Sequence, residues 1–183
     1  ANSVGSSQLT ADSITGQTAL AVAPDSTDEL LISDGGTLKR IDVSLIGGAN
    51  TPAFSVRKTD SNQSLSSGNY TKITFNTEDF DTDNAYASDK FTVPSGKAGK
   101  YLFNTAVMLD SSNHSATQYV ITAFYKNGTQ LGENQLDFRN NYGGYGNALS
   151  YSLIIDLAES DYVEVYGAIG VTSGTVLALS HAT

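Results

Sequence analysis

The chain has 183 residues, a length typical of one domain with an appended segment, and 39% of its residues are hydrophobic. Its 19 acidic and 10 basic side chains give a net charge of -9, which repels nucleic-acid phosphates and anionic lipid, so neither is predicted as a partner. It has no cysteine, which excludes disulfides and thiolate metal sites. Its 2 histidines offer few ligands for a zinc site.

Residues 1–50 contain no aromatic side chain, so this segment has little with which to build a core and is predicted to become ordered on a partner. Within it, residues 29–33 and 37–46 are predicted to be two strands joined at Asp34-Gly35-Gly36, which makes a β-hairpin. The hairpin is the predicted docking element. Its apolar side chains are Leu30, Ile32, Ile41, Val43 and Leu45.

The first residues lack the basic patch and apolar run of a secretory signal, so we expect synthesis in a cytoplasm. No window reaches the ~18 to 20 consecutive apolar residues of a membrane span, so membrane insertion is not expected. Gly47-Gly48-Ala49-Asn50 is typical of a flexible joint before the next domain.

From residue 51 onward the composition changes, because all 10 tyrosines and 7 phenylalanines lie there. Repeated β-branched runs with turn signals at short spacing predict an all-β domain over 51–183. Asn127-Gly128 is the preferred pair for a two-residue hairpin turn, since both positions need positive φ. The predicted strands are 53–57, 71–76, 90–93, 100–109, 117–126, 130–138, 148–157, 162–169 and 175–179.

Two of these strands are apolar on both faces. Along 101–109 the second face still offers Leu102 and Met108, and along 119–125 the face that carries Phe124 is as apolar as the other. A sandwich whose outer faces meet water shows polar outward residues. The second face is therefore predicted to meet another subunit, and the alternative, that an N-terminal segment or long loop covers it, stays open.

The stretch 75–103 follows the signature of a known family. Its matching residues, in order, are Phe75, Asp81, Tyr86, Phe91, Gly99, Tyr101 and Phe103. They resemble the globular head domain of the q subunit of the first complement component, a member of the tumour-necrosis-factor-like superfamily. The likeness extends over about 51–170, although two later spacers differ and Thr105 replaces an aromatic residue. It implies an antiparallel jelly-roll sandwich that forms a homotrimer. Because they lie on the two doubly apolar strands, Met108 and Phe124 are the residues predicted to lie between subunits.

One departure concerns the end of the domain. The family closes with a strand of the form Ser-x-Phe-x-Gly followed by apolar residues, whereas the printed sequence ends at 179–183 without it. Either the chain is cut short or the last strand is replaced. In the first case a central strand would be missing from one sheet.

The aromatic-free leader ahead of such a head resembles virion proteins of bacteriophages, in which a short N-terminal module attaches the protein to the particle. The resemblance implies a non-enzymatic fibre, spike or capsid decoration, located in the virion, that binds other virion proteins through its N-terminal segment. Its head would mediate host attachment or stabilise the particle. The competing hypothesis is a secreted or cell-surface lectin-like binding module of a cellular organism, whose precursor carries a signal peptide.

The loop 140–147 combines amides, glycines and two tyrosines between two strands. Asn141, Tyr142 and Tyr145 are the predicted ligand-binding residues, because exposed tyrosines stack on sugars and amides hydrogen-bond to them. The ligand would be a host surface glycan or protein. The alternative is a connector whose tyrosines pack on the sheet edge.

The sequence offers few candidate residues for catalysis or for metal binding. His114 and His181 both lie in polar, loop-like sequence and are interpreted as solvated side chains. Asp81 and Asp83 offer the hard oxygen ligands that calcium prefers, but the segment 78–84 lacks the glycine and glutamate of an EF-hand loop. We expect no catalytic residue and no cofactor, with calcium at the two aspartates as the alternative.

Overall fold

The structure is a computed structural model that describes residue 11 and residues 15–19, 21–22, 24–25, 27–46, 50–138 and 145–180. The chain divides into two compact units, Ala1–Ala49 and Asn50–Thr183. The regular elements of the described residues are antiparallel β-strands and two short 3-10 turns. No helix in these ranges is long and apolar enough to cross a membrane.

The first unit contains the predicted β-hairpin, formed by β1 (Glu29–Asp34) and β2 (Thr37–Asp42). Gly35 and Gly36 make the turn with φ of 58° and 79°, a combination that glycine adopts without steric cost. The second strand is shorter than predicted. Val43–Leu45 forms a 3-10 turn, so the last two predicted docking residues do not lie on a strand.

The described residues of the second unit form twelve strands, and each strand predicted from the sequence of this unit overlaps one of them. Three further strands, β4 (Gln63–Leu65), β6 (Thr77–Asp81) and β7 (Tyr86–Ala87), are short or acidic and carry little sequence signal. The strands are β3 (Phe54–Arg57), β4 (Gln63–Leu65), β5 (Thr71–Lys72), β6 (Thr77–Asp81), β7 (Tyr86–Ala87), β8 (Lys90–Thr92), β9 (Gly99–Ser111), β10 (Thr117–Lys126), β11 (Thr129–Asp137), β12 (Asn147–Leu157), β13 (Tyr162–Val171) and β14 (Val176–Ala178).

These strands form two large sheets and a small one. The six-stranded sheet has the order β11-β10-β13-β8-β7, with β5 also paired to β13, and the four-stranded sheet has the order β12-β9-β14-β4. The small sheet is β3-β6. Strands distant in the chain, such as β10 and β13, lie side by side, as they do in a jelly roll. The predicted fold class, an antiparallel sandwich of jelly-roll type, is confirmed.

The core lies between the two large sheets. Buried side chains alternate with exposed ones along most of β9 and β12, as the period of two requires, whereas β10 and β13 carry buried or half-buried side chains on both faces. An aliphatic half contains Ile73, Val107, Leu109, Val120, Leu149 and Ile169. An aromatic half contains Phe91, Phe103, Phe124, Leu157 and Val163.

Phe124 belongs to this aromatic half and is 1% exposed. Its ring centroid lies 5.9 Å from that of Phe103 and 5.4 Å from that of Tyr151, both on the opposing sheet. The predicted placement of Phe124 between subunits is therefore corrected. Val120 and Phe124 both point into the core, and a side chain buried by its own chain has no surface to offer a partner.

The hairpin turn predicted at Asn127-Gly128 is present, with φ of 51° and 77°. Asp161, in the connection before β13, ties this turn to the sheet. Its carboxylate pairs with Lys126 Nζ at 2.7 Å and accepts hydrogen bonds from Asn127 Nδ2 at 2.7 Å and from the Ala158 N–H at 2.8 Å. The bond from Lys126, followed by those from Asn127 and Ala158, lowers the pKa of Asp161 from 3.8 to about 2, so this carboxylate keeps its charge to lower pH than an ordinary aspartate does.

Replacing Phe124 by alanine is expected to lower the free energy of unfolding by about 3–5 kcal/mol, because it leaves a cavity between the sheets. Urea denaturation followed by far-ultraviolet circular dichroism measures the change. Leu131→Ala is the control, since Leu131 is 41% exposed on β11 and should change stability by less than ~0.5 kcal/mol. A loss at Phe124 no larger than that of the control would contradict its burial.

Candidate functional site

The predicted binding loop is described only at its end. Asn141 and Tyr142 lie outside the described residues, whereas Tyr145 is 77% exposed. The ring of Tyr145 meets the His114 ring edge-on, with 5.3 Å between the centroids. His114 Nε2 lies 3.3 Å from Asp110 Oδ1, which also accepts the Gly146 N–H at 3.1 Å.

These contacts correct the interpretation of His114 as a solvated side chain. Asp110 is buried, and it brings the imidazole and the end of the loop together. His181 lies outside the described residues. The spacing of four residues between Asp110 and His114 is the only signal in the sequence, and it is too common to predict such a pair.

Asp81 and Asp83 are engaged with their own loop. Asp81 Oδ2 accepts the Tyr86 N–H at 2.7 Å, and the Thr82 hydroxyl donates to Asp83 Oδ2 at 2.7 Å. Over the described ranges, no three histidine or acidic side chains form a group that could hold a metal ion. The observed role of both carboxylates is to hold the connection between β6 and β7.

The predicted docking residues of the hairpin are mostly exposed. Leu30 lies opposite Ile41, and Leu30 is 50% exposed. Ile32 and Leu45 are also exposed, while Ile41 and Val43 are half-buried. Both faces of the hairpin are apolar, because Leu31 and Leu38, which the pattern did not single out, are 74% and 71% exposed.

The outward face of β9 and β12 between Leu102 and Met108, which we call the β9–β12 face, carries no charged side chain; beyond Leu102 the sheet ends in the exposed ion pair of Lys100 with Asp156. Leu102 lies opposite Ile154, and these side chains are 70% and 72% exposed. Met108 lies opposite Ala148 at the other end and is 37% exposed. The intervening outward pairs are Asn104 with Ser152 and Ala106 with Ser150. The structure thus places Met108 on an exposed surface, where an interface residue must lie.

The outward face of the six-stranded sheet is covered by tyrosines of the same chain. Tyr125 and Tyr166 stack with 4.0 Å between ring centroids, and Tyr70 lies 6.2 Å from Tyr125. The ring of Tyr119 lies over Gly170, where a Cβ atom would come within 2.3 Å of it. We call these four residues the tyrosine patch. It buries three small or aliphatic side chains, Ile121, Ala123 and Ala168.

A carboxylate and an amide border the tyrosine patch. The Tyr70 hydroxyl donates to Glu133 Oε2, which also accepts a hydrogen bond from Gln130 Nε2 at 2.6 Å. Burial, followed by the bond to Glu133, raises the pKa of Tyr70 to about 12. Stacked rings beside a carboxylate and an amide are the groups with which proteins bind sugars. The sequence did not reveal this patch, because its residues come from distant segments.

No family model and no curated protein matches the sequence. Among solved structures, the chain is similar to the crystal structure of dimeric latent PorU from Porphyromonas gingivalis, with a TM-score of 0.42 and 11% sequence identity. That match covers 69% of this chain and 12% of the other.

Glu133→Gln is expected to lower the pKa of Tyr70 from about 12 toward its ordinary value of 10.0, because the carboxylate opposes formation of the phenolate. The change is measured from the pH dependence of the Tyr70 Cζ chemical shift. Glu159→Gln is the matched control, since Glu159 accepts the Gly96 N–H elsewhere on the surface. An unchanged pKa of Tyr70 in Glu133→Gln would contradict the contact.

Proposed function

We propose that this chain is a non-enzymatic structural protein of a bacteriophage virion. The second unit is a homotrimeric jelly-roll head, and the N-terminal segment attaches it to other virion proteins as a fibre, spike or capsid decoration. The head contacts the host surface or stabilises the particle. The resemblance of residues 75–103 to complement-q-like heads, and of the leader to phage virion modules, motivates this assignment.

The observation that carries the proposal is the β9–β12 face. Exposed apolar surface costs about 25 cal/mol per Å² relative to burial, so Leu102 and Ile154 favour a state in which a partner covers them. Obligate interfaces bury roughly 2,000 Å² or more and resemble a domain core cut in half, with few charges. The uncharged stretch from Leu102 to Met108 has this character.

The N-terminal hairpin supports the attachment role. A lone two-stranded hairpin is marginally stable in water, because it buries too little apolar surface. Aliphatic side chains on both of its faces, among them Leu30, Leu31 and Leu38, are exposed within the described residues of the first unit. Docking on a larger assembly would bury them.

The purified chain is expected to have the mass of a trimer in light scattering, and Leu102→Asp or Met108→Asp should reduce that mass. A carboxylate buried near a symmetry axis meets its own copies without a counterion, which is strongly unfavourable. Leu131→Asp, on exposed β11, is the control and should leave the mass unchanged. A folded monomer at micromolar concentration would contradict the assembly, and a trimer in both face variants would contradict the placement of the interface.

The tyrosine patch favours a second candidate function, that of a secreted or cell-surface lectin-like module. The rings of Tyr125 and Tyr166 offer a stacking surface for the apolar face of a sugar. Glu133 and Gln130 lie beside them and have acceptors and donors for sugar hydroxyls. Each site would be weak, so binding would depend on several copies acting together.

Replacing Tyr125 and Tyr166 together by alanine is expected to weaken binding on a glycan array by at least about tenfold, a loss of roughly 1.4 kcal/mol. Circular dichroism checks that the double variant is folded. Tyr145→Ala removes an exposed tyrosine outside the patch and should bind as the parent chain does. Loss of binding in Tyr145→Ala alone would move the ligand to the predicted loop, and no binding by the parent chain would contradict the lectin-like candidate.

A further inference from the structure

The register of the six-stranded sheet brings a carboxylate beside the tyrosine patch. Glu133 of β11 lies opposite Ala123 of β10, and on its other side Ala123 lies opposite Tyr166 of β13. Paired residues of neighbouring strands point to the same side of a sheet, so Glu133 shares the outward face with Tyr166. The pairing of the strands therefore fixes the place of this carboxylate relative to the rings.

Two hydrogen bonds orient the Glu133 carboxylate, and both end on the same oxygen. The Tyr70 hydroxyl donates to Oε2, and so does Gln130 Nε2, at 2.6 Å. Within residues 50–138 and 145–180, no hydrogen bond ends on Oε1. A carboxylate can accept about four hydrogen bonds over its two oxygens. Since Glu133 is exposed, Oε1 is held in place by its neighbours and is accessible to a further donor.

The charge of Glu133 has no cationic partner in the described part of the chain. Both of its hydrogen-bond donors are neutral, and none of the ion pairs among the described residues includes it. Glu164, which lies opposite Tyr125 on the same face, is paired with Lys72 at 3.3 Å. Of the two carboxylates that border the stacked rings, Glu133 is therefore the one whose charge is unbalanced.

The tyrosine rings lie in the field of these carboxylates. Burial, followed by the charge of Glu133, raises the pKa of Tyr125, and burial, followed by the charge of Glu164, raises the pKa of Tyr166. A negative charge opposes formation of a phenolate, and the same field attracts a cation. The faces of aromatic rings add to this attraction, because they carry partial negative charge and bind an ammonium within about 6 Å of the ring centroid.

Amide side chains flank Glu133 along the outward face of β11. Gln130 lies opposite Tyr125 and Gln135 lies opposite Ile121, and both amides are exposed. Each amide has donors and acceptors, which are the groups that match the hydroxyls of a sugar. The patch thus combines rings for stacking, amides for hydroxyls and one unbalanced negative charge.

We propose that the tyrosine patch binds sugars that carry a free, protonated amino group. The C–H face of the sugar ring packs on the tyrosine rings, the ammonium donates to Glu133 Oε1, and the neighbouring amides bond to hydroxyls. This inference rests on the lectin-like candidate function and narrows its ligand from sugars in general to amino sugars.

The amino group and the sugar ring are both needed to match the patch. An N-acetylated sugar would present a neutral amide to Glu133, and a hydrogen bond between a charged donor and a charged acceptor is roughly twice as strong as one between neutral groups. A lysine or arginine of a protein would match the carboxylate but not the amides on both sides of it, which pair with hydroxyls. An amino sugar supplies the cation and the hydroxyls in one ring.

Titration calorimetry of the full chain with three tetrasaccharides tests the proposal. The probes are β-linked tetramers of glucosamine, of N-acetylglucosamine and of glucose, which share one linkage and differ only in an ammonium, an acetamide or a hydroxyl at carbon 2. At about pH 5.5, carboxylates are ionised and sugar amines are protonated. The glucosamine tetramer is expected to bind at least about tenfold more tightly than either of the others.

Glu133→Gln is the test variant, because the amide has the shape of the carboxylate without its charge. It should bring the ratio of the glucosamine-tetramer affinity to the glucose-tetramer affinity from at least about tenfold to near one. Glu159→Gln is the matched control, since it changes the net charge equally at a carboxylate elsewhere on the surface, which accepts the Gly96 N–H at 2.7 Å. It should keep the ratio of the parent chain.

The other outcomes separate this inference from the function on which it rests. Equal binding of all three tetramers by the parent chain would overturn the inference and leave the lectin-like candidate in place. An equal fall of the ratio in both glutamine variants would assign the preference to net charge and overturn it as well. Tighter binding of tetralysine than of the glucosamine tetramer would assign the patch to a basic protein segment. Binding of none of the tetramers would overturn the inference, and the glycan array then decides the lectin-like candidate separately.

Discussion

The antiparallel pairing of β9 with β12 is the constraint on which the rest of the second unit depends. Its register places Phe103 and Val107 inside the sandwich, and the same alternation turns Leu102 and Met108 outward. A shift by one residue would exchange the two sets and put the core side chains in water. The core and the β9–β12 face are therefore consequences of a single register.

The two outer faces of the sandwich differ in whether their apolar side chains are covered by the chain itself. On the six-stranded sheet, tyrosine rings cover Ile121 and Ala123, and the tyrosine hydroxyls stay at the surface. The chain therefore covers the apolar side chains of this face by itself. On the four-stranded sheet, Leu102 and Ile154 have no such cover among the described residues. The first face is suited to contacts with polar ligands and the second to burial in an assembly, because tyrosine has a polar end and leucine has none.

The second unit has a packed core although one of its sheets is interrupted, two properties that seldom occur together in a sandwich. The inward faces of the strands make a well-packed core, with Leu109 and Ile169 fully buried, while the sheet beside it is interrupted between β3 and β9. Side-chain packing and backbone pairing are distinct sources of stability, and a sandwich can have the first without completing the second. An interrupted sheet of this kind leaves edge groups that only another strand can pair.

The sequence by itself determined the local features of this protein. Gly35-Gly36 and Asn127-Gly128 specified two hairpin turns because few other residues adopt positive φ, and β-branched and aromatic runs between turn signals marked the long strands. Which face of each strand is buried was decided by tertiary structure. Along 119–125 both faces are apolar, so the burial of Phe124 depends on the opposing sheet and not on its neighbours in the chain. The tyrosine patch and the contact of Tyr145 with His114 likewise form only when segments that are distant in the sequence meet in the fold.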